Sequence, residues 1–358
     1  MAKKKAEAET ETSEKKEITT DLERKYGESA FISAEDFLNE KREVIPVSPK
    51  LDLILDGGIP EGSFVIIAGP PKIGKTVTSL HFAANAQKVG RKVFYLNIEG
   101  RLKPRDLAGI SNLQHGKDQF EIVRSYVDND GKSRILLAHE YLDVAERKVK
   151  DNPGCVVIVD SASQLLTETE SKGELGEQHR APGAVLLAQF CKRIANEMPV
   201  TKSIIIMIVH VVANTGGGMK RTSRTGGNKI QYAVDVDLEC KYVEKWTVGA
   251  VKDDPDSGTE IGKKIHWTTG STGGNAAPGM KTTSYLRYGV GIDEIYELYD
   301  LGKTLGLIER AGAWYTMSFL GLEKDIPKFQ GEEKVITALN EHADWIELLR
   351  RKLKESLG

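Results

Sequence analysis

Apolar residues along this chain fall into two kinds of stretch. Ser63–Ala68 (SFVIIA), Lys92–Ile98 (KVFYLNI), Glu121–Arg124, Cys155–Asp160 (CVVIVD) and Ser203–His210 (SIIIMIVH) are short runs rich in β-branched residues. Their length and near-continuous apolarity predict strands buried on both faces. Between them, Val77–Val89 (VTSLHFAANAQKV) and the stretches around Ile135–Lys150 and Ala184–Glu197 carry apolar residues at helical spacing. Such alternation predicts an α/β fold, a mostly parallel central sheet flanked by helices.

The two ends read differently. Met1 to about Lys16 alternates charges and has no large apolar residue after Met1, so it is expected to be disordered. Leu22, Tyr26, Phe31, Phe37 and Leu38 then mark a short amphipathic segment, read as a helix that seeks a partner surface rather than the main core. After about Gly291 the chain turns to helical stretches around a short Trp-containing segment, GAWYTM, which predicts a small C-terminal domain. The expected division is 1–43, 44–290 and 291–358.

Composition narrows the class. The 358 residues are 40% apolar and 28% charged, an ordinary globular balance. No run approaches the ~18 apolar residues that cross a membrane, and the charged N-terminus does not resemble a secretory signal. Cys155, Cys191 and Cys240 are odd in number and none sits in a CxxC pair. That favours a reducing cytoplasm and argues against a zinc site. A net charge of −2 gives no global sign of a polyanionic partner, so any such contact must come from a local patch.

One motif states its chemistry. Residues Gly69, Pro70, Pro71, Lys72, Ile73, Gly74, Lys75 and Thr76 read GPPKIGKT, which fits the phosphate-binding loop pattern G-x-x-x-x-G-K-S/T. The glycines let the backbone curl so that successive N–H groups face phosphate oxygens. Lys75 is expected at the β- and γ-phosphates, and the Thr76 hydroxyl on Mg²⁺. A predicted strand precedes the loop, and a helix beginning near Val77 follows it and adds its positive N-terminal end to the anion site. The site therefore predicts a nucleoside triphosphate held with Mg²⁺.

Three predicted strands end in a polar residue, at the edge where parallel sheets gather ligands. Asp160 fits a Walker B carboxylate that holds Mg²⁺, with an Asp capping the next turn as the alternative. Glu99 is placed to orient or deprotonate an attacking water, although a solvated turn residue has the same signature. His210 is placed to sense the γ-phosphate, and a partly buried hydrogen-bonded histidine fits equally. Val211–Val234 holds Lys220, Arg221, Arg224 and Lys229, five glycines and no acid. It is expected to be a long, flexible, basic loop suited to a phosphodiester chain or, more plainly, a solvated surface loop. No aromatic lies between Val211 and Tyr232 to stack on bases.

Taken together, these residues resemble the RecA family of recombinases over roughly residues 20–345. LDLILDGGIPEGSFVIIAGPPKIGKT resembles the family's lead-in and Walker A, and IVDSASQLLTETESKGELGEQH its Walker B and first DNA-binding loop. RTGGNKIQYA resembles the exit of the second DNA-binding loop, and YGVGIDEIYELYDLGKTLGLIERAGAWY the entry to the C-terminal domain. The resemblance implies a RecA-like P-loop NTPase core with an N-terminal oligomerisation helix and a small C-terminal α/β domain. It implies a helical filament on single-stranded DNA that pairs with double-stranded DNA, exchanges strands and hydrolyses ATP.

Residue by residue, the resemblance implies catalytic roles for Glu99, Lys75 and His210, the last standing where the family usually has a glutamine. It places Tyr288 against the nucleotide beside Gly69–Val77, and Thr76 and Asp160 on the metal. Glu174, Gly176, His179 and Arg180 fall in the first DNA loop; Lys220, Arg221, Arg224, Gly226, Gly227, Asn228 and Lys229 in the second. The chain also departs from the pattern. The paired lysines that reach the γ-phosphate across the protomer interface have no counterpart in STGGNAAPGMK, and spacing does not choose among Lys263, Lys264 and Lys281. GRLKPRD lacks the aromatic expected over adenine, and no acidic tail follows LLRRKLKESLG. Alternatives are a RecA-fold ATPase of another class, such as a helicase or a clock-type ring, and a filament paralogue that hydrolyses weakly.

Overall fold

The computed structural model describes residues 21–174, 182–213, 222–224, 233–249, 258–270, 277–321 and 326–357. Residues 1–43 and 44–358 form separate units. In the first, helix 21–26 and a 3₁₀ turn precede the helix Ala34–Asn39. Ser33 caps that helix by accepting a hydrogen bond from the Asp36 N–H at 3.0 Å. The apolar side chains Leu22, Tyr26, Phe31, Phe37 and Leu38 are all exposed. The segment predicted to be disordered lies outside the described residues.

The second unit is built on one large sheet. Its strands are β1 Phe64–Gly69, β2 Val93–Asn97, β3 Phe120–Val123, β4 Val156–Asp160, β5 Ile204–Ala213, β6 Thr222–Arg224, β7 Val236–Val248, β8 Thr259–Thr269, β9 Lys281–Arg287 and β10 Gly291–Ile292. Across the sheet the order is β10-β9-β8-β7-β1-β5-β4-β2-β3, with β6 on β5. The pairs from β7 to β3 are parallel; those from β7 to β10, and β5 with β6, are antiparallel.

Helices cover both faces: α1 Pro49–Ile54 and α2 Lys75–Lys88 on one, α3 Ala138–Asp151 and α4 Pro182–Thr201 on the other. The unbroken apolar runs follow from this sandwiching. In β1, Val65 and Ile67 face Leu51, Leu80 and Phe82, whereas Phe64 and Ile66 face Leu142, Phe190 and Ile194. Each such fully buried side chain stabilises the fold by about 1.5–3 kcal/mol relative to exposure.

Two expectations need correcting. His210 is not a strand end: β5 continues to Ala213, because Val211, Val212 and Ala213 carry on the apolar run. Nor is the whole of Val211–Val234 a loop, since β6 returns along β5 with Arg224 opposite Val211. The antiparallel extension β7–β10 was not among the predicted strands. Beyond it, α5 Glu294–Thr304, α6 Glu332–Glu341 and α7 Ala343–Leu357 surround a three-stranded sheet, β11 Glu309–Ala311, β12 Trp314–Thr316 and β13 Lys328–Gln330. Their own core holds Leu298, Tyr299, Tyr315, Phe319, Leu339 and Leu349.

Candidate nucleotide site

The sheet register assembles the site. Gly69 at the end of β1 lies opposite His210 of β5, and Asn97 at the end of β2 lies opposite Asp160 at the end of β4. Four chemically distinct positions thus share one edge. The GPPKIGKT loop leaves β1 there and enters α2 through Gly74, whose φ of 103° is left-handed. A Cβ at Gly74 would sit 2.7 Å from Ile265 Cδ1 and 2.8 Å from Leu286 Cδ1, so only glycine fits the turn. At Gly69 (φ 154°) a Cβ would meet Ile73 Cδ1 at 2.4 Å.

A cavity of about 400 Å³ opens over this edge, lined by Pro71–Val77, Tyr95, Asn97, Glu99, Asp160, His210, Lys263 and Tyr288, among others. Lys75 is buried and donates to the carbonyls of Gly69 (2.9 Å) and Pro70 (2.7 Å). Burial lowers its pKa from the ordinary lysine value, against the opposing pull of the Asp160 and Glu99 carboxylates. Thr76 Oγ1 donates to Asp160 Oδ2 at 2.7 Å, and Tyr95 also donates to that carboxylate. Burial raises the Asp160 pKa, and the two hydroxyl donors only partly offset it.

Glu99 is fixed by its backbone and its side chain. The N–H groups of Ile98 and Glu99 both donate to the Asp160 carbonyl, at 2.9 and 3.2 Å, so the turn after β2 is tied to the end of β4. Glu99 Oε1 accepts from Ser161 Oγ at 2.7 Å and lies 2.5 Å from His210 Nε2. Burial acts to raise the Glu99 pKa, but the hydrogen bonds from His210 and Ser161 and the charges of His210 and Arg101 outweigh it, so the net shift is downward. The His210 backbone N–H donates to Ser163 Oγ at 2.8 Å, which pins β5 to the turn after β4.

The predicted nucleotide, metal and catalytic residues therefore converge, with Gly69 and Pro70 behind the cavity as acceptors for Lys75. Tyr288 is half-exposed at the rim and donates to Glu260 at 2.5 Å. The donor set fits Mg²⁺: a hydroxyl and a carboxylate already within hydrogen-bond reach offer two hard oxygens, leaving the remainder to phosphate and water. Among the described residues no group of three His, Cys, Asp or Glu forms a closed metal cage.

Sequence reading missed Tyr95 and Ser161, whose hydroxyls hold the two carboxylates. A buried tyrosine inside an apolar run reads as core; only the register that aims it at Asp160 gives it a role. Of the first-loop candidates, Glu174 is exposed and lies just after helix Glu168–Lys172, whereas Gly176, His179 and Arg180 are outside the described residues. So are Lys220, Arg221, Gly226, Gly227, Asn228 and Lys229; Arg224 is on β6.

A parallel sheet, a glycine loop opening a helix and two carboxylates at adjoining strand ends define a P-loop nucleotide-binding α/β protein. Two family models match almost the whole chain: the RecA N-terminal domain over residues 14–292 and the RecA C-terminal domain over 296–358. The chain belongs to the RecA family. It is 29% identical to the protein RecA of Streptomyces coelicolor over 94% of this chain and 83% of that one. It is likewise 29% identical to the protein RecA of Solidesulfovibrio magneticus, over 95% and 89% of the two chains. For the protein RecA of Caldanaerobacter subterraneus subsp. tengcongensis the identity is 28%, over 94% and 91%. Among the described residues no helix is long and apolar enough to cross a membrane.

Proposed function

We propose that this protein is an ATP-dependent DNA recombinase. It binds Mg²⁺-ATP at Gly69–Val77, assembles as a helical filament on single-stranded DNA, and promotes homologous pairing and strand exchange with double-stranded DNA in recombination and repair. Hydrolysis to ADP and phosphate is stimulated by DNA. In this reading residues 44–290 are the ATPase core, 291–358 a smaller domain, and 1–43 carry the oligomerisation helix. Its place of action is the cytoplasm, in keeping with three buried free cysteines.

One observation carries the reading: Glu99, beside the Thr76–Asp160 pair, is hydrogen-bonded to His210, and His210 sits on the strand that leads directly into the basic stretch 211–234. A carboxylate suited to positioning water is thus joined by one side chain to a segment suited to DNA phosphates. Lys75 neutralises developing charge on the phosphoryl oxygens, Thr76 and Asp160 would hold Mg²⁺, and Glu99 orients the attacking water. When bound there, Mg²⁺ would supply charge neutralisation to the phosphates. The test is ATP turnover with and without single-stranded DNA, followed by electron microscopy. Stimulated turnover in helical filaments supports the proposal. Closed rings favour a helicase or clock-type ATPase, and filaments without turnover a paralogue that binds without hydrolysing.

A further inference from the structure

The β8 strand lays one face against the phosphate loop. Ile265 of β8 and Leu286 of β9 approach Gly74 there, and the sheet register places Lys263 between Leu286 of β9 and Lys245 of β7. Lys263 lines the nucleotide cavity and donates from Nζ to the Lys72 carbonyl at 3.0 Å. Lys72 itself sits at the crown of the loop with a left-handed φ of 60°.

Lys72 and Lys263 therefore meet at the mouth of the site, with Lys245 opposite Lys263 on the sheet, and among the described residues two nearby acids are engaged elsewhere. Glu260 accepts from Tyr288, and Glu244 pairs with His266. Among the described residues none of Lys72, Lys245 and Lys263 has a carboxylate within ion-pair distance. Like charges directly opposite on a sheet repel, and a single carbonyl engages one of the three N–H donors of an ammonium group. An anion between Lys263 and the loop crown would offset this repulsion and take up the remaining N–H donors.

We infer that Lys263, with Lys245 behind it, is a phosphate-binding cation supplied by the same protomer that supplies the P-loop, and that its ligand is a phosphate oxyanion of the bound nucleotide. The inference rests on the nucleotide reading of the site. It gives one of the three candidate cations a role in its own chain's pocket rather than across a protomer interface.

The test is the dissociation constant of MgADP and of a non-hydrolysable MgATP analogue, measured without DNA and over a dilution series that reaches separated protomers. Lys263→Met keeps the stem and removes the charge. It should weaken both nucleotides about ten-fold, equally at every protein concentration, while the nucleotide-free melting temperature is unchanged or raised. Lys245→Met should weaken binding less. Unchanged affinity in Lys263→Met beside lost affinity in Lys75→Ala would overturn the inference and leave the nucleotide reading standing. Weakening seen only at concentrations where protomers assemble would overturn it in favour of a cation acting across the interface. Loss of inorganic phosphate binding with nucleotide affinity intact would assign the lysines to a free anion and also overturn it. If neither wild type nor Lys75→Ala binds nucleotide, the nucleotide reading fails and the inference falls with it.

Discussion

His210 Nε2 lies 2.5 Å from Glu99 Oε1, so the carboxylate proposed to position water is held by a residue on the strand that leads to the basic stretch. This contact depresses the Glu99 pKa despite burial, and a depressed carboxylate is a weaker base. The sign follows directly. Glu99 is ionised above its lowered folded value, and activity that needs the carboxylate is lost as pH falls through it. Removing the imidazole in His210→Ala leaves burial with less opposition. The acid limb of kcat/KM, which reports the free enzyme, should move to higher pH. His210→Gln, which keeps a donor without the charge, should move it less. An acid limb that stays in place in His210→Ala would separate the two residues functionally.

Gly74→Ala should abolish nucleotide affinity as fully as Lys75→Ala. The added methyl meets Ile265 and Leu286 below 3 Å in a left-handed backbone, at a cost of order 1–3 kcal/mol for the strain alone. Nucleotide titration with thermal unfolding checks this, since the glycine variant should also melt lower and the lysine variant should not. An alanine variant that binds normally would contradict the loop geometry.

Asp52 of α1 is a stability reporter. Burial, joined by the nearby charges of Glu297 and Glu294, pushes its pKa up to about 8 despite hydrogen bonds from the Val47 and Ser48 backbone. A raised folded pKa means that the native state binds more protons than the unfolded one. This contribution is fully present below the ordinary value of 3.8 and is lost as pH rises through about 8. Asp52→Asn mimics the protonated acid and should flatten the decline in urea midpoint between pH 5 and 9. An unchanged slope would contradict the assignment.

Replacing Lys220, Arg221 and Arg224 by Ala should weaken single-stranded DNA binding and reduce its salt slope by up to ~2, at about 0.7 per lost phosphate contact. Binding measured across a salt series decides this. An unchanged slope returns the stretch to a solvated surface role.

Sequence patterning located the parallel strands because each is buried on both sides, which writes a continuous apolar run into β1, β2, β4 and β5. The extension was less legible because its strands are half-exposed: KYVEKWTV in β7 alternates lysine, glutamate and aromatic residues and resembles a polar connection. GPPKIGKT, Glu99 and Asp160 could be read because their chemistry is local to a motif or a strand end. Tyr95 and Ser161 could not, since each meets its carboxylate partner across strands or turns distant in sequence, and spacing alone left Lys263 undistinguished from Lys264 and Lys281. The end of β5 was misplaced because a histidine within an apolar run resembles its terminus.

The most direct measurement is steady-state ATP turnover of wild type and Glu99→Gln, each with and without single-stranded DNA. The account predicts DNA-stimulated turnover in wild type. In Glu99→Gln it predicts turnover lowered by at least 10²-fold, of the order that general-base loss removes, with ATP and DNA binding retained. Turnover that survives in Glu99→Gln, or wild-type turnover indifferent to DNA, would contradict it.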